Sequence, residues 1–237
     1  MVLKTTLKVY NFNMGIFDII GPVMIGPSSS HTAGAARIGK YARRIYGVHK
    51  PFDLVEIDLY NSFSESGIGH GTDLAILGGI LCFNVDDERI LKSFEIAKEM
   101  GINFKFNFKG IDEDVGENAC KITFHNNGKS FYVWGESIGG GLIHISNING
   151  YSVSLFGRHP VLIVFAKDVP GIIAHVSKII ADAHINIAKA EIERDSSVSE
   201  SLSVFKLDAD FPKDKIPLIL ENKNILEVMT VERLEEL

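Results

Sequence analysis

Gly26-Pro27-Ser28-Ser29-Ser30-His31 runs directly into Thr32-Ala33-Gly34-Ala35-Ala36-Arg37-Ile38-Gly39, which reads as the opening of a helix. In that register the hydroxyls of Ser28, Ser29, Ser30 and Thr32 converge with several backbone N–H groups on a helix N-terminus. Unsatisfied donors and the positive end of the helix dipole favour a carboxylate or phosphate there. A histidine among those donors can accept or release a proton near neutral pH. An anion grip and a proton carrier on one loop point to chemistry on a small acid. The same residues have a plainer reading as well: serines ahead of a helix make an N-cap, and polar Gly-Pro-Ser clusters make turns.

Two further glycine-flanked segments carry matching residue types. Gly69-His70-Gly71-Thr72-Asp73 opens a second helix and sets a histidine and a hydroxyl at its positive end. Ser137-Ile138-Gly139-Gly140-Gly141 follows a strand, and consecutive glycines permit close backbone approach. Alone, His70 reads as a capping or structural histidine and the glycines as a bulge or turn. Together the loops predict the walls of one pocket for a small polar ligand. His70, Gly71, Thr72, Asp73, Gly139, Gly140 and Gly141 would then shape it from behind the contacting residues.

The chain that must hold these loops has 237 residues, 46% hydrophobic and 23% charged, with a formal net charge of −6. That is the profile of a soluble globular protein of one or two domains. Mild acidity argues against nucleic acid or an anionic membrane as the main partner. No apolar run approaches the ~20 residues that span a bilayer; the longest, 74–83, contains two glycines. Residues 1–13 lack the basic, apolar, small-residue order of a secretory signal, and Met14 reads as an alternative start or the end of an extension. Cys82 and Cys120 are the only cysteines. Far apart and outside any Cys-x-x-Cys pattern, they read as buried small hydrophobes, with no disulfide framework or zinc site. A reducing, cytoplasmic location and no metal site in this chain are the expectations.

The elements change character near Gly157. Before it the spacing predicts a helical turn at 16–20 and helices at 32–46, 72–81 and 88–100. Ala35, Ile38, Ala42 and Ile45 form the inward stripe of 32–46. Strands are expected at 54–61, 103–109, 121–125, 131–136, 142–147 and 152–156, with turns at Asn127-Gly128 and Asn149-Gly150. After Arg158 the order is strand 159–167, helix 172–183, strands 185–194 and 200–209, a short helix from about residue 216, where Pro217 fits only near the start, and strand 225–233. This is the βαββαβ ferredoxin-like unit. It is expected to fold separately from the domain before it, with one sheet face or an edge free for self-association.

This C-terminal unit resembles an ACT domain through Asp168-Val169-Pro170-Gly171 and Ile185-Asn186-Ile187, with His184 where the family commonly has glycine. The resemblance implies an amino-acid effector framed by Asp168, Pro170, Gly171 and Asn186; a purely structural dimerisation module is the other reading. From Gly15 to Leu237 the chain resembles the beta chain of the iron–sulfur-dependent bacterial L-serine dehydratases. The resemblance is carried by Phe17-Asp18-Ile19-Ile20-Gly21-Pro22-Val23-Met24-Ile25-Gly26 and the serine-rich loop after it, the Gly69 and Ser137 segments, and the ACT-like unit. The N-terminal region is also similar to the intervening effector-binding domain of some phosphoglycerate dehydrogenases. The expected fold is therefore α+β or α/β: a mixed α/β sandwich over 15–157, then a ferredoxin-like ACT domain over 158–237. One departure stands out. The family often has His-Pro-Asn-Thr where this chain has Gly116-Glu117-Asn118-Ala119.

The resemblance implies elimination of water from L-serine, giving aminoacrylate and then pyruvate and ammonia. It implies a four-iron four-sulfur cluster that polarises the serine hydroxyl. Such clusters take cysteine thiolates, normally four, more than this chain has. A separate alpha chain would carry the cluster, and the beta chain alone would be inactive. No lysine stands in a pyridoxal-phosphate context, so that cofactor is not expected. His31 is the candidate for proton transfer, Ser28, Ser29, Ser30 and Thr32 for the substrate carboxylate, and His70, Thr72 and Asp73 for orientation. The alternative is a non-catalytic regulatory subunit whose serine-rich loop binds a small acid or amino acid.

Overall fold

Ala35, Ile38, Ala42 and Ile45 are all fully buried, because the helix they build, α1 (Ala35–Tyr46), is covered on every side. The computed structural model describes residues 22–234, so the helical turn expected at 16–20 lies outside the described residues. The residues expected as the first turn of α1 wind instead into a π-helical turn, Ser29–Gly34. A Cβ on Gly34 would lie 2.1 Å from Ser137 Oγ, so only glycine lets the turn press this closely on the neighbouring strand.

After α1 come β1 (Leu54–Leu59), α2 (Asn61–Glu65), α3 (Gly67–His70) and α4 (Thr72–Ile80). The expected helix at 88–100 is split into a 3-10 segment, Glu88–Lys92, and α5 (Ser93–Glu99). Strands β2 (Phe104–Phe108), β3 (Ala119–Asn126), β4 (Lys129–Gly139), β5 (Leu142–Ile148) and β6 (Tyr151–Leu155) follow. They join β1 in a six-stranded sheet ordered β2-β1-β3-β4-β5-β6, antiparallel except for β1 with β2. Both expected Asn-Gly turns form, with positive φ at both residues, as a two-residue hairpin requires. Helix α1 lies against this sheet and crosses α4 at backbone contact. A Cβ on Gly79 would sit 1.9 Å from the Ala36 carbonyl oxygen, and one on Gly39 2.2 Å from that of Ile76. This crossing brings the Thr72 end of α4 up to the π turn.

The second sheet comprises β7 (Val161–Lys167), β8 (Ile187–Asp195), β9 (Glu200–Leu207) and β10 (Ile225–Val231), in the antiparallel order β10-β7-β9-β8. Helices α6 (Ile172–Asp182) and α7 (Ile216–Leu220) cover one face over Leu162, Val164, Phe205 and Leu207. Pro217 sits in the first turn of α7, as expected. The fold is thus mixed α/β with two sheets, the second a βαββαβ unit.

The other face of the second sheet is not free, so of the face or edge expected for self-association only an edge is left exposed. Val161, Ile163, Phe165, Leu202, Val204, Met229 and Val231 share one core with α1 and the first sheet. The ring centroid of Phe165 is 5.7 Å from Tyr151 and 6.4 Å from Phe131, both T-shaped. Polar ties cross the same seam: Lys50 to Glu227 at 2.7 Å, Arg44 to the Arg233 carbonyl at 2.6 Å, and Leu234 N–H to the Gly157 carbonyl at 2.8 Å. Edge strand β8 remains largely exposed. Among the described residues no helix is long and apolar enough to cross a membrane.

Candidate active site at the serine-rich loop

Ser28 is extended (φ −138°, ψ 126°) and caps the π turn; its hydroxyl accepts from the His31 N–H at 3.2 Å and its carbonyl from the Thr32 N–H at 2.8 Å. The capping reading therefore holds for Ser28, whose own O–H remains available as a donor. Thr32 is buried and donates to the His70 carbonyl at 3.3 Å. The half-buried hydroxyls of Ser29 and Ser30 have no hydrogen-bond partner among the described residues.

His31 is half-buried against the edge of Phe63, ring centroids 5.3 Å apart, with His70 tilted at 4.9 Å. Its Nε2 lies 3.0 Å from Ser62 Oγ and 3.2 Å from Ser66 Oγ. The Ser66 hydroxyl donates to the Ser62 carbonyl at 2.9 Å, so toward His31 its oxygen can only accept. With Nε2 as the donor to these two oxygens, Nδ1 is the basic nitrogen. Burial pushes the imidazole pKa below its ordinary value; the neighbouring His70 acts in the same direction, while Ser62 and Glu117 oppose. The ring is therefore neutral at pH 7, the form a general base needs.

Sequence reasoning missed Ser62, Phe63 and Ser66, which stand on α2 and the junction to α3. The available signal was two serines four residues apart, one helical turn, just before the Gly69 segment. Asn61, with φ 49°, starts α2 and rivets it in place. Its Nδ2 donates to the carbonyls of Asp112, Val115 and Gly116, and its Oδ1 accepts from Asp112 N–H at 2.7 Å. The next N–H, of Ser62, donates to the Glu117 carbonyl at 2.9 Å. The divergent segment 116–119 thus borders the His31 site, and the buried Asn118 Oδ1 within it has no partner among the described residues.

The Gly69 segment differs from expectation. His70 closes α3 rather than opening α4, and donates through Nδ1 to the Ser66 carbonyl at 3.0 Å, so it stands at a helix C-terminus. Gly71, left-handed at φ 68°, then turns the chain into α4. Thr72 is fully buried and its hydroxyl has no partner among the described residues. Asp73 accepts from Leu74 N–H at 2.8 Å, and burial raises its carboxyl above the ordinary value. Gly139, Gly140 and Gly141, all at positive φ, form the β4–β5 turn. The Gly141 carbonyl accepts from Arg37 at 2.9 Å, and a Cβ there would meet Ala33 at 3.5 Å. This loop buttresses the π turn; its contacts are with Ala33 and Arg37, not the imidazole.

The second sheet separates its four expected residues. Asp168 pairs with Arg194 at 2.7 Å beside Pro170 and Gly171, at the C-terminal end of β7. Asn186 bonds Asp208 at 3.0 Å, where Leu207 meets Pro160 at the other end of that strand.

Comparison with known proteins fits this architecture. Residues 15–147 match the family model described as serine dehydratase beta chain, and residues 160–210 match the ACT domain. The chain is 40% identical over 216 residues to a protein named as a probable L-serine dehydratase, beta chain, of Bacillus subtilis (strain 168), covering 91% of this chain and 97% of that one. It is 42% identical over 172 residues to the L-serine dehydratase, beta chain, of Peptoniphilus asaccharolyticus, 72% of this chain and 77% of that one. It is also 32% identical over 136 residues to a D-3-phosphoglycerate dehydrogenase of Methanocaldococcus jannaschii, covering 57% of this chain and 25% of that protein. With the family match spanning the π turn, the imidazole and its serine supports, and the second module following it, the chain belongs to the serine dehydratase beta chain family and carries a C-terminal ACT domain.

Proposed function

We propose that this chain is the beta subunit of a two-chain L-serine dehydratase, which converts L-serine to pyruvate and ammonia in the cytoplasm. The observation that carries the reading is the His31 imidazole, held by two serine oxygens and kept toward its neutral form by burial, on the same turn as two hydroxyls that have no partner among the described residues. In this reading Ser29 and Ser30, helped by the free O–H of Ser28, hold the substrate carboxylate. His31 Nδ1 takes the Cα proton, the C–H electron pair becomes the Cα=Cβ bond, and the hydroxyl leaves Cβ with its bonding pair, to be lost with that proton as water. The resulting aminoacrylate tautomerises and hydrolyses to pyruvate and ammonia. Fixing the carboxylate counts because negative charge grows beside it as the proton departs. Thr32, His70 and Thr72 keep the turn and imidazole in register, and Asp73 opens α4 beside them.

The four-iron four-sulfur cluster belongs to the alpha chain in this reading. Cys120 is fully buried with its thiol pushed far up by that burial, and Cys82 sits at the end of α4. Among the described residues no group of His, Cys, Asp and Glu is arranged to hold a metal. Two distant cysteines, one of them fully buried, do not fit a cluster. We further divide the chain into 15–157 and 158–237. We assign the loop at Asp168, Pro170 and Gly171 to a small amino-acid effector and the exposed β8 edge to self-association.

Similarity to phosphoglycerate dehydrogenases favours a second reading, in which the serine-rich loop only binds a small acid to report its presence. Anaerobic copurification with the alpha chain and a pyruvate assay separates the two. Pyruvate is expected from the pair and none from this chain alone. Turnover by the pair that is unchanged in His31→Ala would support the second reading.

A further inference from the structure

Ser66 stands at the junction of α2 and α3 and bonds to both histidines of the site. Its carbonyl accepts from His70 Nδ1 at 3.0 Å, and its hydroxyl oxygen lies 3.2 Å from His31 Nε2. The two rings are 4.9 Å apart, centroid to centroid, and tilted by 40°. Among the described residues no other residue bonds to both rings. A serine hydroxyl turned back to the carbonyl four residues earlier is common in helices. Here that bond, to the Ser62 carbonyl at 2.9 Å, uses the hydroxyl hydrogen and leaves the oxygen to accept.

The groups around His31 form a chain that ends on a carbonyl. Nε2 lies 3.0 Å from Ser62 Oγ, Ser62 Oγ lies 3.4 Å from Ser66 Oγ, and Ser66 Oγ donates to the Ser62 carbonyl. A carbonyl cannot donate, so the last hydrogen points at it, and each donor before it can follow the same direction back to the ring. Were Nε2 without its hydrogen, it and the Ser66 oxygen would face each other as two acceptors at 3.2 Å. The constraint on His70 is stricter. Its Nδ1 has only a carbonyl opposite it and must carry the hydrogen. The nitrogens left as acceptors are His31 Nδ1 and His70 Nε2, and neither has a hydrogen-bond partner among the described residues.

We propose that Ser66 is the positioning residue of this histidine pair: its hydroxyl oxygen holds His31 in the Nε2–H form and its carbonyl holds His70 in the Nδ1–H form. One residue then sets which nitrogen of each ring can take a proton, and the rings do not exchange tautomers freely. The kinetic consequence rests on the dehydratase reading. In the other tautomer His31 has a hydrogen where a base needs its lone pair, and a histidine base in the wrong tautomer is disabled. Ser66 keeps that form out without touching substrate.

The test uses the full chain without any partner, with isotope-labelled imidazole nitrogens, so it is independent of the dehydratase reading. Long-range proton–nitrogen NMR of the neutral rings separates the two tautomers, and the signals are assigned by their loss in His31→Gln and His70→Gln. His31 is expected as Nε2–H and His70 as Nδ1–H, the latter against the preference of a free histidine side chain. In Ser66→Ala, His31 should become a mixture of tautomers, while His70, bonded to the backbone of residue 66, keeps Nδ1–H. Ser66→Thr retains a hydroxyl and should restore His31. A role only in holding the two helices together would move both rings or neither. In the pair with the alpha chain, Ser66→Ala should lower kcat about fivefold to tenfold at nearly unchanged KM, and Ser66→Thr should recover it. A His31 tautomer that Ser66→Ala leaves unchanged overturns the proposal. So does His70 found as Nε2–H in the unaltered chain, a result that does not depend on how any variant folds. No turnover by the unaltered pair would count against the dehydratase reading alone, with the NMR result still deciding the role of Ser66.

Discussion

At the level of single side chains, His31 is oriented by hydroxyl oxygens rather than by a carboxylate, which leaves the ring neutral and its outward nitrogen basic. Replacing His31 with Ala should lower turnover of the reconstituted enzyme by about 10²–10⁴ with a modest change in KM. Ser29→Ala should act mainly on KM, because a carboxylate contact is largely made in the ground state. The pH dependence follows from the same surroundings. A base whose pKa is depressed below 6.5 stays active to lower pH than a free imidazole, so the acid limb of kcat/KM should lie below 6.5. His70 contributes to that depression and Glu117 opposes it. His70→Gln should therefore move the acid limb up in pH and Glu117→Gln should move it down, as read from pH–rate profiles. The loop from Ser28 to Thr32 was legible because caps and anion sites are local chemistry. Ser62 and Ser66 were not. They meet His31 across more than thirty residues of sequence, on helices too short to show an apolar period.

At the level of elements, the geometry of the site rests on how closely α1 approaches α4. Gly39 and Gly79 set two backbones against each other with no room for a Cβ. Gly79→Ala should destabilise the chain by about 1–3 kcal/mol, a cost typical of overpacking, seen as a lower denaturant midpoint at unchanged m-value. Activity should fall with it, since the same crossing carries the Thr72 end of α4 to the π turn. The apolar stripe of α1 and the two Asn-Gly turns were readable because each is a repeat or a turn chemistry. The π winding at Ser29–Gly34 was not, because tertiary contact with Ser137 selects it over an α-turn of the same sequence. His70 was misassigned to the start of α4 for a related reason. Gly71 can end one helix and begin another, and residue types alone do not say which side the histidine takes.

At the level of the whole molecule, two sheets share one core, with α1 lying between them. The sequence carried a hint in the unbroken apolar run 161–166 of β7, the pattern of a strand buried on both faces, whereas a strand with one wet face alternates. Cutting the chain after Gly157 should therefore do more than remove a module. The remaining 15–157 fragment would expose Tyr46, Phe131, Tyr151 and Leu155, and it should aggregate or unfold without a cooperative transition, as followed by thermal melts and size-exclusion chromatography. A fragment that melts sharply as a monomer would mean the shared core adds little. The βαββαβ order was legible because regular alternation of strand and helix admits few topologies, but which face it buries depends on a partner elsewhere in the chain.

The cover that β10 gives to α1 has a consequence for biosynthesis. The helix leaves the ribosome early, but the strand and tail that seal it, through Met229, Val231 and Leu234, emerge only after almost every other element. At about 5–20 residues per second the delay is on the order of ten seconds or more, during which the helix has an uncovered apolar flank. The nascent chain is thus a natural client for chaperones, and slower, cooler expression should raise the yield of soluble protein.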